Sequence, residues 1–301
     1  MSLYKSSISE KTFHLAGIVP VAGQPLDFDF PWHDSLMPIA PNYLAVERAV
    51  IECAWAGCET IWVVCNDDMQ PLIRHRLGDY VYDPVTMGRN YGIKPTDERK
   101  PITIYYTPVH PKDRQKRDCL AWSVLYGART AFDISKKISK WVAPDRYYVA
   151  FPYGVYEPEI LRSYRKEISS RRAFFLTHKD ETVRNGKFLG FTFDASAYTE
   201  YVKVIRSGTG DKVPGQHHPG EIPTERLPLH KKWSARFFSL DKVFESAKVE
   251  EAITTEVEWY HEIDSWEGFC QYAGSGDKIY RPAKCILSYK EWNLMGVDND
   301  E

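Results

Sequence analysis

The segment Phe13-His-Leu-Ala-Gly-Ile-Val-Pro-Val-Ala22 is predominantly apolar, with β-formers crowded near its end, and it stops at Gly23. A strand that must be apolar on both faces has to lie inside a sheet covered by helices on each side, which is the condition of a parallel α/β sheet. The next segments fit that condition. A turn-rich stretch from Gln24 to Pro41 leads to Asn42, read as the cap of a helix with Val46, Ala49, Val50, Cys53 and Ala54 on one face and Gly57 as its stop. Thr60-Ile-Trp-Val-Val-Cys65 is a second buried strand. Strand, helix, strand in that order needs a crossover connection, and such connections build parallel sheets.

The pattern continues. Met69 to Leu77 reads as a short helix, Pro101 to Thr107 as a third strand, and Arg146 to Phe151 as a fourth. Asp118 is read as the cap of a helix carrying Ala121, Val124, Leu125, Ala128 and Phe132 at the 3.6-residue period. Pro158 suits the first position of another helix through Ile160, Leu161 and Tyr164.

After about residue 170 the texture alternates more, and Arg184-Asn-Gly-Lys187 reads as a two-residue hairpin turn. Trp233 to Phe238 reads as a strand, and Leu240 to Lys248 and Ser265 to Tyr272 as helices. Between them, residues 207–230 hold four Gly and four Pro with few large apolar residues, the composition of a projecting loop. The expected fold class is α/β, a mainly parallel Rossmann-like sheet flanked by helices with an α+β second half. Its expected organisation is a core over 1–170, a continuation of the same domain over 171–275, and a C-terminal extension over 276–301.

Charge narrows the function classes. With 39 Lys and Arg against 41 Asp and Glu, the formal charge is −2, so no general phosphate attraction points to nucleic acid or an acidic membrane. No apolar run approaches the roughly 20 residues that cross a bilayer, and the first ten residues lack a signal-peptide core, so the expected location is intracellular. The six cysteines include no C-x-x-C pair and read as reduced thiols. Nine Trp, 19 Tyr and 14 Phe exceed what that picture explains, and suit a rigid core plus an interface or a stacking site. Trp32, Trp55, Trp122 and Trp141 are read as core.

Five segments resemble the nucleotidyltransferase fold of sugar-nucleotide pyrophosphorylases, within the GT-A-like superfamily of nucleotide-diphospho-sugar transferases. Ile18-Val-Pro-Val-Ala-Gly23 is similar to that family's opening strand and first glycine, and Leu36-Met-Pro-Ile-Ala40 to its Leu-Leu-Pro-Ile stretch. Val46 to Cys65 is similar to its helix, Ala-Gly turn and strand, and Asp118-Cys-Leu-Ala-Trp122 to its base-binding helix start. Late in the chain, Tyr260-His-Glu-Ile-Asp-Ser-Trp-Glu-Gly-Phe269 resembles Trp-x-Asp-Ile-Gly-Thr-Pro-Glu-x-Tyr. The resemblance implies joining a nucleoside triphosphate to a sugar phosphate with Mg²⁺.

The departures fall on that chemistry. A Gly-x-Gly-Thr-Arg loop holds the triphosphate in active relatives, because glycine lets backbone amides approach phosphate oxygens. Here Gly23 is followed by Gln24-Pro-Leu-Asp27, and Asp34 stands where the family has Lys. The family's strand-end Asp falls in Phe151-Pro-Tyr-Gly-Val-Tyr156, which has no carboxylate before Glu157. Glu262 is the remaining metal-ligand candidate, paired with Glu157. Candidate nucleotide-binding residues are Gly23 and Gln24 with Lys112, Arg114 and Arg117 from the basic run before the Asp118 helix. Arg162, Arg165, Lys166, Arg171 and Arg172 form a second basic cluster, of which the first three share one helical face. His217, His218 and His230 read as solvated, and no catalytic residue can be assigned.

The leading expectation is a pseudoenzyme: a nucleotidyltransferase-like protein with degraded nucleotide and metal motifs, serving as a non-catalytic binding or structural component among other protein subunits. It needs no cofactor. The alternative is a divergent active nucleotidyltransferase using Mg²⁺, with a nucleotide or nucleotide sugar as ligand.

Overall fold

The computed structural model describes residues 13–24, 29–87, 101–114, 117, 119–137, 143–207, 211–212 and 236–282. In chain order, β1 (Leu15–Pro20) is followed by a short antiparallel pair, β2 (Pro38–Ala40) and β3 (Tyr43–Leu44), and then α1 (Ala45–Ala56). Next come β4 (Thr60–Cys65), α2 (Gln70–Leu77), β5 (Tyr80–Tyr82), α3 (Pro84–Met87), β6 (Pro101–Pro108), α4 (Pro111–Arg114) and α5 (Leu120–Lys137). After β7 (Arg146–Val149) and β8 (Gly154–Val155) lie α6 (Arg165–Ile168), β9 (Phe174–Thr177), β10 (Phe191–Phe193) and α7 (Ala195–Ser207). The remaining elements are β11 (Asp211–Lys212), β12 (Arg236–Phe237), α8 (Leu240–Phe244), β13 (Ile253–Glu256), β14 (His261–Glu262) and α9 (Trp266–Gly274).

Eight strands form one sheet in the order β13-β9-β10-β7-β1-β4-β6-β5. The centre is parallel, with β1 between β4 and β7 and β4 beside β6. β10 runs antiparallel to both its neighbours, and β5 is an antiparallel edge. The second half of the chain thus adds β9, β10 and β13 to the sheet that the first half begins.

Side chains alternate across β1, so Leu15 and Val19 enter the core under α1 while Ala16 and Ile18 enter the core under α5. All six β1 residues are buried, as the opening apolar run requires. α1 is buried on every side, including Glu47, Arg48 and Glu52, because a 3₁₀ helix over Pro158–Tyr164 covers the face turned away from the sheet. Gly57 ends α1 at φ 87°, a left-handed conformation that a β-carbon would strain.

Several local expectations are corrected. The cap of α1 is Leu44, whose N–H donates to Glu47 Oε2 at 2.7 Å, while Asn42 takes φ 56° in the β2–β3 turn. Residues 183–187 make a 3₁₀ turn ending at Gly186, and the two-residue hairpin lies earlier. There His178 and Glu181 exchange backbone hydrogen bonds around Lys179 (φ 50°) and Asp180 (φ 64°), non-glycine residues that gave no turn signal. Pro158 opens a 3₁₀ helix, and α helix begins only at Arg165. α8 stops at Phe244, short of Lys248; β12 covers Arg236–Phe237, and residues 233–235 of the expected strand lie outside the described residues. Trp55 and Trp122 are buried, but Trp32 is 53% exposed. Cys53, Cys58, Cys65 and Cys119 are buried free thiols, and Cys270 is exposed. Asp118, Trp141, Cys285, the three histidines of 217–230 and most of the 207–230 loop lie outside the described residues.

Candidate functional site

The parallel strands β1, β4, β6 and β7 end together, and the loop leaving β1 is where a nucleotide would meet this fold. Its first two amides are engaged: Val21 and Ala22 both donate their N–H groups to the Val64 carbonyl at the end of β4, at 2.8 and 3.0 Å. Their carbonyls are also engaged. Tyr153 donates its hydroxyl to Val21 O at 2.8 Å, and Ser123 of α5 donates to Ala22 O at 2.5 Å. Gly23 has φ 87°, and a β-carbon there would lie 2.5 Å from the Cys119 carbonyl carbon. Glycine is needed at this corner because the chain touches the start of α5. Gln24 is half-buried at the edge of the same corner.

Aromatic side chains surround it. Phe151 and Tyr153 have no exposed surface, and Phe188 packs edge-on against both at 5.9 and 5.6 Å. Burial, with Asp34 and Asp264 adding repulsion, holds the Tyr153 phenol well above its usual pKa. Asp34 itself is 1% exposed, with Oδ1 accepting from Ser35 N at 2.7 Å and lying 2.9 Å from His33 Nδ1. Its Oδ2 has no hydrogen-bond partner among the described residues.

The candidate basic groups are engaged elsewhere or point to solvent. Arg114 lies 3.8 Å from Asp67, and Arg117 lies 3.9 Å from Asp113 with its guanidinium 4.7 Å over the Trp122 ring. Lys112 is exposed at the start of α4. In the second cluster, Arg165 is not a solvated side chain: it donates to both oxygens of Asp83 at 2.8 and 2.6 Å and to the Trp55 and Ala54 carbonyls. It closes the C-terminal end of α1, where free carbonyls favour a cation. Arg162 stays on the surface beside Glu159.

The two candidate metal ligands have different neighbours. Glu157 is exposed and caps the 3₁₀ helix through Glu159 N at 3.5 Å. Glu262 lies on β14, which pairs with β8, and its Oε1 is 3.0 Å from Lys187 Nζ and accepts from Tyr260 OH at 3.1 Å. Lys187 also reaches Glu181 at 3.4 Å, and although its partial burial opposes charge, these carboxylates raise its pKa. A cavity of about 390 Å³ opens beside them, lined by His178, Lys187, Tyr260 and Glu262 among others. Among the described residues, no group of three or more His, Cys, Asp or Glu is arranged to hold a metal ion.

Beneath the 151–156 loop lies a network that periodicity did not reveal. Arg48 and Glu52 of α1 pair at 2.8 Å, Arg48 Nη2 donates to Phe151 O at 2.6 Å, and the hydroxyls of Tyr148 and Tyr156 donate to Glu52 Oε1 at 2.7 and 2.6 Å. The readable signal was two opposite charges four residues apart inside a helix that is apolar apart from them and Glu47.

Together the sheet order, the crossover helices and the strand-end corner define a nucleotidyltransferase-like fold of the sugar-nucleotide pyrophosphorylase type. The chain is similar in structure to a protein from Bacillus anthracis described as a glucose-1-phosphate thymidylyltransferase, solved with sucrose, at TM-score 0.52 and 10% identity over 89% of this chain and 98% of that one. It is also similar to a UDP-glucose pyrophosphorylase complexed with UDP-glucose, at TM-score 0.50 and 11% identity over 87% of this chain and 97% of that one. At such identities the likeness is one of fold. No protein-family model matches the sequence, and no curated protein does. No helix among the described residues is long and apolar enough to cross a membrane.

Proposed function

We propose that this chain is a non-catalytic member of its fold, a binding or structural component that works with other protein subunits. The observation that carries the reading is the closed corner after β1. A phosphate-binding loop works by turning successive amides toward the ligand, whereas the Val21 and Ala22 amides are both bound to Val64 O. The two carbonyls are held by Tyr153 and Ser123, and the nearby carboxylates of Asp34 and Asp264 repel phosphate.

Mg²⁺ does not fit the candidate donor set. The ion takes near-octahedral oxygen ligands, through carboxylates left free to bind it. Glu262 is instead neutralised by Lys187, and Glu157 caps a helix. Exposed Trp32, Trp266 and Tyr280, at 53, 39 and 74%, suit contact with protein partners. The cavity beside Glu262 leaves room for a small polar ligand in a binding role.

Titration calorimetry of nucleoside triphosphates with Mg²⁺ tests the reading. The expected result is no saturable heat attributable to the strand-end corner. Binding that requires Mg²⁺ and disappears in Glu262→Ala would overturn it.

A further inference from the structure

At the opposite end of the sheet from Gly23, β7 begins at Arg146, level with Leu15 on β1. Arg146 is 4% exposed, and its guanidinium donates to the carbonyls of Arg171 and Arg172 and, at 3.4 Å, to Thr192 Oγ1. Its nearest carboxylate oxygen, Asp194 Oδ2, stands 3.8 Å away. The other oxygen of Asp194 is occupied by the N–H groups of Ser196 and Ala197 at the start of α7. A buried guanidinium held by neutral carbonyls, with its carboxylate at the limit of ion pairing, is an under-compensated charge. Burial lowers its pKa, and Asp194 only partly opposes this.

This arginine lines a cavity of about 310 Å³ with Arg171, Arg172 and Lys248. Arg171 and Lys248 have no ion-pair or hydrogen-bonding partner for their side chains among the described residues. The Arg172 guanidinium donates to the Glu251 and Ala252 carbonyls, at 3.2 and 3.5 Å. Asp194, Glu200 and Glu251 also line the cavity, but none lies within ion-pair distance of Arg171, Arg172 or Lys248. Because Arg146 grips the two carbonyls, it fixes the segment from which Arg171 and Arg172 project. Thr192, Ser196 and Ser246 add hydroxyls, and Phe175, Phe193 and Tyr201 form an apolar wall. The volume is at the small end of ligand cavities, which run from about 300 Å³ upward.

We propose that this cavity binds a compact phosphate-bearing anion, independently of the strand-end corner. Guanidinium groups bind phosphate oxygens through charge-assisted, often bidentate bonds, and three arginines line this cavity together with Lys248.

The test is titration calorimetry of the full chain at low ionic strength, with pyrophosphate and inorganic phosphate as probes. Pyrophosphate should bind saturably at one site. Replacing exposed Arg171 and Lys248 together (R171A/K248A) should weaken it at least about tenfold, since two charge-assisted contacts are lost. Circular dichroism and the unfolding midpoint should stay at wild-type values, because Arg146 is left in place. Lys112→Ala with Arg114→Ala, at the other end of the sheet, should bind as wild type. Absence of saturable heat with both probes, an unweakened R171A/K248A, or equal weakening in the Lys112/Arg114 variant would each overturn the proposal.

Discussion

Arg48 and Glu52, one turn apart on α1, form a 2.8 Å ion pair in which neither side chain has exposed surface. Each is held again from outside the helix: Arg48 by the Phe151 carbonyl, Glu52 by two tyrosine hydroxyls. Burial raises the Glu52 pKa, offset by Arg48 and those phenols. The pair therefore ties α1 to the loop that would carry the metal ligand in an active relative.

Removing one partner strands the other charge. Arg48→Met should lower unfolding free energy by about 3–5 kcal/mol, while Arg48→Met with Glu52→Leu removes the stranded charge but leaves the Phe151 carbonyl and the Tyr148 and Tyr156 hydroxyls without these partners, and should recover only part of the loss. Urea denaturation of both variants reads this, and equal losses would contradict the buried-pair account.

The strand-end corner makes a separate prediction. Ser123→Ala and Tyr153→Phe each leave a buried carbonyl, Ala22 O or Val21 O, without its donor. Each should cost about 1–3 kcal/mol of stability. Values near zero would mean that these carbonyls find other partners.

Arg165 should not tolerate lysine. The guanidinium fork serves Asp83 and two α1 carbonyls at once, which one ammonium cannot do. Arg165→Lys should cost about 1–3 kcal/mol, in line with losing charge-assisted bonds. A wild-type denaturation midpoint would show that the contact is dispensable.

Alkaline titration should expose the buried tyrosines. Burial raises the pKa of Tyr43, Tyr148, Tyr153 and Tyr156 well above the ordinary 10.0. The fold thus holds these protons more tightly than the unfolded chain does. Their contribution is complete below the ordinary value and is lost as pH rises through the folded-state values. Tyrosinate absorbance from the buried set should appear only well above the ordinary value, together with loss of circular dichroism. One reversible step with unchanged dichroism would contradict this.

The sheet was legible because β1 and β4 are buried on both faces and advertise it by nearly continuous apolar sequence, and β7 by its run of β-formers after Arg146. The 3.6-residue period likewise located α1 and α5. Caps and turns were less readable: Asn42 matched a helix-cap preference but served a turn, and Lys179-Asp180 formed a hairpin without the residues that usually signal one. At the site, the sequence shows where the chain departs from the loop it resembles, at the second glycine and at Asp34. It could not tell which donors held the Val21 and Ala22 carbonyls, since Tyr153 and Ser123 arrive from 132 and 101 residues away. The same distance hid the cavity around Arg146, whose lining comes from β7, β9, β10, α7 and the segment after α8.

The central claim is the absence of nucleotidyl transfer, and pyrophosphate release tests it most directly. The chain should be assayed with each common nucleoside triphosphate, a panel of sugar phosphates and Mg²⁺. The account predicts no release above the enzyme-free rate, and no difference between wild type and Glu262→Ala. Saturable turnover that Glu262→Ala abolishes would contradict it.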